Sequence, residues 1–511
     1  MAKLQVLIEV APAAPQISMA VALAAASSAG RATRAETFRA AEAVLADLPG
    51  LGVEVEETAG PVPLTAPEPT LSPAGIPTGL MAAAPTPRGR GSRRSTGADA
   101  SPPAAPALGT EEPTSVVVPA EVTAAALDRL AEREDVVVWP NSAITLLQDL
   151  AIAAEEGDDV FGLFDLARSA GGTDCRPFRP GVSVAAIRQL LGVAALWNDG
   201  FRGQNIIVGI IDEGVHSSYP VVGGHETATE RRWGRADITS HGSMCAADVL
   251  VAVPAARLYD YPFLGQPRSG GALAMFQAVL DQHRADGTPH LTNNSYGFVG
   301  VPTRAQAPRH EIWDLNHPVH RKVREVVATR IACFFAAGNC GSDCPSGACH
   351  PSGIGPGQSI HASNSLLEVI TVAAVNSRHE RIGYSSQGPG MFEAAKPDIA
   401  AYSHFFANFG PGRPGGTAQP FDNGTSAATP VACGIGAALL SAFADLTPDQ
   451  LKAALMASAI DIGRPGRDFL TGAGVVNAAT AYHILRAEGR QPGAVRVALR
   501  PRIAPAGDAL A

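Results

Sequence analysis

One serine in this 511-residue chain stands in a context that suits a nucleophile. Ser426 lies in the run Asn-Gly-Thr-Ser-Ala-Ala-Thr-Pro, two residues after Gly424, and an apolar segment of small residues follows it. This pattern predicts a buried helix that begins near Gly424, with Pro430 in its first turn. A hydroxyl at a helix N-terminus lies beside unpaired backbone N–H groups, which can stabilise an oxyanion. The same eight residues suit an ordinary Ser/Thr helix cap equally well.

Three further side chains have types that could work with such a serine. Asp212 directly follows the apolar strand predicted over 205–211, where a carboxylate could orient a histidine, although an aspartate there also suits a turn. His241 opens a predicted helix and has the pKa range of a general base, although a single histidine is more often structural. Asn339 follows the strand predicted over 332–337, and its amide could donate to an oxyanion or simply form a turn.

A cysteine-rich loop comes directly after Asn339. Cys340, Cys344, Cys349 and His350 are weak candidates for a structural zinc site, because the usual pairs of ligands two residues apart are missing. A disulfide within the loop and free thiols are the alternatives. The chain has seven cysteines, and this odd number favours a reducing compartment over a full disulfide framework.

From about residue 184 the chain alternates between helices and apolar strands. Strands are predicted over 205–211, 257–261, 290–295, 332–337 and 369–375, and helices over 184–199, 272–285 and 319–330. Such alternation predicts an α/β domain with a doubly wound, mostly parallel sheet that is covered on both faces. Reactive groups in these sheets gather beyond the carboxyl ends of the strands, which is where Asp212 and Asn339 fall.

The N-terminal part of the chain has a different pattern. Its predicted elements are strand 4–10, helix 34–47 and strand 51–57, then strand 115–118, helix 121–133 and strand 135–139. This β-α-β-β-α-β order predicts a small ferredoxin-like α+β domain. The Pro/Ala-rich stretch 59–113 between the two halves is predicted to be disordered. The expected division is a small domain over 1–143, a linker over 144–183, a large domain over 184–490 and a C-terminal tail over 491–511.

Composition argues against two classes of partner. The net charge of −9 and the pI near 5.8 leave no basic footprint for nucleic acid. No apolar run reaches the roughly 20 residues that span a bilayer, so no membrane partner is expected. Residues 17–26 resemble the apolar core of a signal peptide, but Glu9 and the strand-like pattern of 4–10 before them do not fit one. A cytoplasmic location is therefore predicted, with secretion as the alternative.

The four candidate residues occur in the order Asp212, His241, Asn339 and Ser426. Their motifs are Asp-x-Gly-Val, His-Gly-Ser, Ala-Ala-Gly-Asn and Gly-Thr-Ser-Ala-Ala-Thr-Pro. With this set of motifs the chain resembles the subtilisin-like serine proteases over about residues 184–485. The resemblance implies an endopeptidase that forms an acyl-enzyme: Ser426 attacks, His241 transfers the proton, Asp212 orients His241 and Asn339 holds the oxyanion.

The resemblance also implies contacts with a peptide or protein substrate. An edge strand formed by Ser295, Tyr296 and Gly297 would pair with extended substrate. A pocket lined by Ala336, Ala337 and Gly338 would receive a substrate side chain. Plain packing is the alternative for Tyr296. No cofactor is required, and a structural calcium is unsupported because the segment 249–258 is short where relatives often carry a calcium loop.

The N-terminal domain resembles the propeptide of these proteases, which acts as folding aid and inhibitor. The chain would then be a zymogen whose own N-terminal domain is a partner of its cleft. Two alternative functions remain open from the sequence: a catalytically silent module that binds peptides, and a maturation protease dedicated to one cognate peptide.

Overall fold

A computed structural model describes the parts of the chain that surround the candidate residues. The described residues are 3–10, 34–56, 60–65, 115–147, 174, 182–227, 229–265, 267–299, 302–345, 349 and 359–493. Most of the stretch predicted to be disordered, most of the predicted linker and tail, and residues 17–26 lie outside these ranges.

The N-terminal residues form an antiparallel sheet with two helices. Its strands are Leu4–Val10 (β1), Val53–Val55 (β2), Val62–Leu64 (β3), Ser115–Val122 (β4) and Val136–Pro140 (β5), and its helices are Arg34–Asp47 (α1) and Ala124–Ala131 (α2), with a 3-10 turn at Leu48–Leu51. The strand order is β2-β4-β1-β5, with β3 also paired to β4. This order confirms the predicted ferredoxin-like arrangement.

Several boundaries differ from the predictions; β4 continues to Val122, and one strand was missed. Helix α2 begins at Ala124 rather than at residue 121, because Thr123 accepts a hydrogen bond from the Ala126 N–H and caps the helix there. Strand β3 lies inside the stretch predicted to be disordered, where Val62 and Leu64 are buried. Short apolar runs between prolines give little pattern, so composition alone missed this strand.

The rest of the chain forms a larger α/β domain. Its strands are Thr145–Leu146 (β6), Val182–Ser183 (β7), Ile207–Asp212 (β8), Val221–Gly224 (β9), Arg257–Pro262 (β10), Leu291–Asn294 (β11), Tyr296–Gly297 (β12), Ala332–Ala336 (β13), Ile370–Val375 (β14), Ile399–Tyr402 (β15) and Phe405–Phe406 (β16). Its helices are Val184–Leu191 (α3), Ala194–Asn198 (α4), His241–Ala252 (α5), Ser269–Asp286 (α6), Pro318–Ala328 (α7), Gly424–Ala442 (α8), Pro448–Ala457 (α9) and Ala478–Ala487 (α10), with a 3-10 turn at Ala362–Ser365.

Seven parallel strands make up the main sheet, in the order β15-β14-β13-β11-β8-β10-β9. One hydrophobic core, with α5 and α8, covers one face, and a second core, with α6 and α7, covers the other. The predicted doubly wound parallel sheet is therefore confirmed. The edge strands β9 and β15 have only four residues each and escaped prediction. Strands β9 and β10 lie on one side of β8, and β11 and the later strands lie on the other side. In open parallel sheets a cleft forms where the strand order reverses in this way.

Helix α8 packs unusually close to its neighbours. A Cβ at Gly434 would lie 2.4 Å from the Val249 carbonyl oxygen on α5, and a Cβ at Gly436 would lie 2.8 Å from the Phe334 ring. By length and composition α8 could cross a bilayer, but 94% of its apolar window is buried inside the protein. Small residues in this helix therefore serve close packing in the core.

The N-terminal sheet docks on helices α6 and α7. The Arg321 guanidinium forms a 2.6 Å ion pair with Glu9 of β1, and both side chains are nearly buried. The buried ammonium of Lys322 donates to the Pro63 carbonyl at 2.7 Å. Leu7 belongs to the same apolar core as the two helices. The contact thus combines apolar packing with buried, paired charges.

Candidate active site

Four backbone elements bring the four candidate residues to the carboxyl edge of the sheet. Asp212 is the last residue of β8, and Asn339 follows three residues after the end of β13. His241 is the first residue of α5 and Ser426 the third of α8. All four are buried. The structure therefore places each of them beside one cleft, as the strand ends predict.

Asp212 holds the imidazole of His241. The His241 Nδ1 lies 2.8 Å and 2.9 Å from the two carboxylate oxygens of Asp212. The neighbouring Glu213 accepts a hydrogen bond from the backbone N–H of His241. Burial lowers the pKa of His241, but the charge of Asp212 and its hydrogen bond outweigh burial, so the net pKa is raised. Glu213, to which no role was predicted, thus fixes the start of α5.

The serine hydroxyl does not yet contact the histidine. Ser426 Oγ donates to the Ser295 carbonyl oxygen at 3.1 Å. His241 Nε2 is buried and has no hydrogen-bond partner among the residues that the structure describes. Asp212 therefore contacts Nδ1 of His241, and Nε2 remains available to accept a proton.

Pro430 lies inside α8 and not in its first turn, which corrects the sequence prediction. A proline has no N–H to donate to the carbonyl four residues earlier, which here is that of Ser426. The Ser295 hydroxyl donates to this freed oxygen at 3.2 Å, and the Cys245 thiol on α5 donates to it at 3.6 Å. The proline therefore ties the backbone of Ser426 to β11 and α5.

Thr425 sets the orientation of the Asn339 amide. The Asn339 Oδ1 accepts from the Thr425 N–H at 3.0 Å and from the Thr425 hydroxyl at 2.8 Å. Because that oxygen is occupied, the Nδ2 group faces the cleft, where it donates to the Leu147 carbonyl oxygen at 2.6 Å. Sequence reasoning missed Thr425 as a positioning residue, and its place next to Ser426 was the only signal for it.

A segment of the same chain fills the cleft. Strand β6 pairs antiparallel with β12, Leu146 opposite Tyr296 and Thr145 opposite Gly297. The Leu147 N–H donates to the Ser295 carbonyl oxygen at 3.2 Å. Residues 295–297 therefore pair with an extended segment, as expected of a substrate strand.

The predicted pocket residues lie behind this strand. Ala336 ends β13, Ala337 and Gly338 follow it, and all three are buried. The Asn364 amide Nδ2 donates to the Tyr296 and Ala336 carbonyls, both at 2.7 Å, and so links the two predicted walls. The ring of Tyr296 packs edge-on against Phe335, which supports the packing alternative for its side chain.

The cysteine loop is closed by covalent bonds. Cys340 and Cys349 form a disulfide, and Cys344 is disulfide-bonded as well. A disulfide sulfur is not the thiolate that zinc requires, so the zinc candidates Cys340, Cys344 and Cys349 are corrected to disulfide partners. His350 lies outside the described residues.

One group of described side chains lies close enough together to hold a metal ion. Within these ranges, only Asp212, His241 and Cys245 bring three ligand atoms within 4.8 Å of one another. One carboxylate, one imidazole and one thiol do not match the six to eight oxygens that calcium takes. No step at this site is therefore routed through calcium.

Comparison with known proteins assigns the family. The model of the subtilase family of peptidases matches residues 203–474, more than half of the chain. The chain belongs to the subtilase family. A subtilase is a serine peptidase, and its substrates are peptides or proteins. The match covers the whole region in which the four candidate residues meet.

Individual relatives of this subtilase are distant. Subtilisin DY from Bacillus licheniformis is 27% identical over 298 residues, which cover 55% of this chain and 92% of that protein. Subtilisin E from Bacillus subtilis is 27% identical over 299 residues, which cover 56% and 68%. Among solved structures, fervidolysin from Fervidobacterium pennivorans, described as a keratinolytic enzyme related to subtilisin, matches at 19% identity and a TM-score of 0.46, covering 72% of this chain and 56% of that one.

Proposed function

We propose that this subtilase is an active serine endopeptidase that works through an acyl-enzyme. The observation that carries the proposal is a peptide carbonyl, that of Leu147, held on the Asn339 amide beside the Asp212–His241 pair. This is the arrangement in which a carbonyl would be attacked. The donor already contacts the oxygen on which negative charge would develop.

The steps assign one role to each side chain. The Ser426 hydroxyl oxygen attacks the carbonyl carbon while its proton passes to His241 Nε2, and Asn339 stabilises the oxyanion. His241 then gives the proton to the departing amine, which leaves an ester on Ser426. Water, deprotonated by His241, hydrolyses that ester. Asp212 orients the imidazole and stabilises its protonated form throughout.

One small movement is needed before attack. Ser426 Oγ must turn from the Ser295 carbonyl toward His241 Nε2, which lacks another partner among the described residues. A hydroxyl makes such a turn by rotation about one side-chain bond. The contacts from Ser295 and Cys245 to the Ser426 carbonyl keep the backbone still during this rotation.

We further propose that the N-terminal domain inhibits the enzyme. Residues 145–147 occupy the substrate strand, and the domain that precedes them is held by Arg321 and Lys322. The start of α6 adds two contacts, since Gly270 N–H donates to the Asn141 side chain at 2.9 Å and Ser269 N–H to the Ser142 carbonyl at 2.9 Å. An external substrate would have to displace this segment.

The disulfides support an oxidising compartment. Disulfides persist in secreted proteins and are rare in a reducing cytosol. The Cys340–Cys349 bond therefore favours secretion, the alternative to the cytoplasmic location predicted from the cysteine count.

A fluorophosphonate probe tests the proposal. The purified full-length protein is incubated until any self-cleavage is complete and then treated with the probe. We expect labelling of wild type and none of Ser426→Ala. Wild type that stays unlabelled yet binds peptides would instead support the silent peptide-binding module. Turnover of one peptide alone among many would support a dedicated maturation protease.

A further inference from the structure

We propose that Glu213 is a positioning residue for the reaction: its carboxylate holds the backbone of His241 in place, and its negative charge supports the imidazolium that forms when His241 takes the serine proton. The inference rests on the proposed peptidase function and adds a fifth side chain to the four that were assigned steps. Glu213 directly follows β8, and His241 is the first residue of α5. Glu213 exchanges no proton in this role.

Glu213 contacts both members of the Asp212–His241 pair. Its backbone N–H donates to Asp212 Oδ1 at 2.8 Å, and its side-chain oxygen Oε1 accepts from the His241 backbone N–H. The same Oδ1 of Asp212 lies 2.8 Å from His241 Nδ1. The three residues therefore form a closed ring of contacts, in which a shift of Glu213 would disturb the imidazole through its backbone and through its carboxylate partner.

The His241 N–H needs this acceptor because it lies in the first turn of a helix. The N–H groups of a first turn have no acceptor within the helix itself. Ser240, the residue before the helix, accepts from the Ser243 N–H at 3.1 Å through its side chain, whereas Glu213 accepts from the His241 N–H. A negative charge beside a helix N-terminus is also favoured by the helix dipole. Glu213 thus anchors the turn that carries the imidazole.

The loop that begins with Glu213 packs directly on this turn. A Cβ at Gly242 would lie 2.3 Å from the Gly214 carbonyl oxygen, so only glycine allows the approach. Ser240 Oγ donates to the same Gly214 oxygen at 2.9 Å. These contacts hold the residues on either side of His241, whereas Glu213 binds the backbone of His241 itself.

The charge of Glu213 acts on the imidazole together with that of Asp212. Burial lowers the pKa of His241, and the charges of Asp212 and then Glu213 raise it, with a net rise. The Cys245 thiol lies 3.9 Å from His241 Nδ1, and burial raises its pKa, so it stays neutral. Asp260 of β10 interacts with Asp212, and burial raises its pKa to about 7. Because Asp260 is common to all variants, a difference between variants reports Glu213.

Exposure distinguishes the two carboxylates. Asp212 is buried, whereas the side chain of Glu213 is exposed. Solvent and salt screen an exposed charge much more than a buried one. The electrostatic effect of Glu213 on His241 should therefore weaken as the ionic strength rises, while its hydrogen bond to the His241 backbone should persist.

Two variants separate the contact from the charge. Glu213→Gln keeps a side-chain oxygen for the His241 N–H and removes the charge, whereas Glu213→Ala removes both. Full-length protein is incubated until any self-cleavage is complete, and the rate constant of fluorophosphonate labelling is then measured against pH. This reagent needs no peptide substrate, so changes in peptide binding do not enter the measurement.

The two variants should share one effect and differ in another. We expect the midpoint of the acid limb to move to lower pH in both, by roughly half a pH unit, the size of shift that one exposed charge produces at close range. The maximal rate constant should fall by about tenfold in Glu213→Ala and by less in Glu213→Gln, because a misplaced reacting group costs rate steeply.

Salt gives a readout that damage to the fold would not give. At an ionic strength of about 1 M, where screening acts within about 3 Å, the midpoint difference between wild type and Glu213→Gln should shrink. The lower maximum of Glu213→Ala should remain. Glu488→Gln removes another exposed glutamate, just after α10, and as the matched control should leave both midpoint and maximum at the wild-type values.

The outcomes separate the two proposals. If wild type takes up no fluorophosphonate at any pH, the proposed function fails and this inference fails with it. If wild type is labelled, but Glu213→Gln keeps the wild-type midpoint at low salt or Glu213→Ala keeps the wild-type maximum, the inference alone is overturned.

Discussion

At the scale of single residues, the site depends on neighbours that hold a reacting group by its backbone or its amide. Thr425 turns the Asn339 amide so that its N–H groups face the cleft. Pro430 frees the Ser426 carbonyl for Ser295 and Cys245. Neither neighbour reacts, but both remove freedom from a group that does, which is what preorganised stabilisation of a transition state requires.

The first prediction concerns Asn339→Asp. Aspartate keeps the oxygen that Thr425 contacts but has no N–H for the oxyanion. We expect kcat to fall by about 10²–10³, a range set by subtilisin itself rather than by this structure, with little change in KM. Steady-state kinetics on a peptide substrate measure it. A fall of less than tenfold would show that Asn339 is not the oxyanion donor.

The second prediction is the acid limb of the pH profile. His241 accepts a proton only when neutral, so kcat/KM should fall as the pH drops through its pKa, which Asp212 holds above the ordinary value of about 6.5. Asp212→Asn removes the charge, so the midpoint should move to lower pH and kcat should drop about 10⁴-fold. The pH dependence of peptide hydrolysis checks both. An unmoved midpoint in Asp212→Asn would contradict the assignment.

The four main site residues could be predicted because their chemistry is carried by local motifs at strand and helix ends. Leu147 and Asn364 could not. Leu147 directly follows β6, whose Leu146 pairs with Tyr296 about 150 positions away, and strands as short as β6 and β12 give no specific pattern. Asn364 lies in a 3-10 turn, where its type suits any loop.

At the scale of elements, two helices that carry reacting residues are joined by a pair of buried carboxyl groups. Asp248 lies on α5, seven residues after His241, and Asp422 lies just before α8. Asp422 accepts N–H groups from Ala407, Asn408 and Phe409. Burial, and then the charge of Asp422, raise the pKa of Asp248 well above its usual range. Burial raises that of Asp422 to about 7.

The third prediction follows from this pair. Because the folded pKa values lie above the unfolded value of about 4, the stability that comes from protonating these carboxyl groups is complete at low pH and lost as the pH rises through about 7. Asp248→Asn donates to Asp422 without needing that proton. We expect its Tm to decline less than that of wild type between pH 5 and 8.

Thermal unfolding in the Ser426→Ala background, at a series of pH values, measures this difference. The Tyr219 hydroxyl and the Cys245 thiol also interact with the pair, and burial raises the pKa of each, so both stay neutral over this range. An equal decline of Tm with pH in the two proteins would mean that protonation of these carboxyl groups does not contribute to stability.

At the scale of the whole molecule, the proposed inhibition depends on one surface, the contact between the N-terminal sheet and α7. Glu9 is buried and accepts from Arg321, from the Ser115 hydroxyl at 2.6 Å and from the Trp139 indole at 2.9 Å. The ferredoxin-like arrangement of the small sheet and the parallel character of the large one followed from the sequence, whereas this contact did not. Glu9 and Arg321 are 312 positions apart, and each suits an exposed site in its own element.

The fourth prediction is that Glu9→Gln loosens the N-terminal domain. It leaves the Arg321 charge buried without a counter-charge, which typically costs about 3–5 kcal/mol. In the Ser426→Ala background, a lower Tm and faster uptake of external peptide are expected. Glu54→Gln, which breaks the exposed pair with Lys3, is the control and should leave the Tm nearly unchanged. Equal effects of the two variants would contradict the prediction.

Helix α8 has a consequence for the lifetime of the nucleophile. Its residues are almost all enclosed by other parts of the protein, and Ser426 lies in its first turn. Amide hydrogens in such a helix exchange with solvent deuterium only through the largest openings of a protein, since no local fraying reaches them. Ser426 therefore sits in the last part of the molecule to come apart, and heat should abolish peptide hydrolysis only where the protection of α8 against isotope exchange is lost.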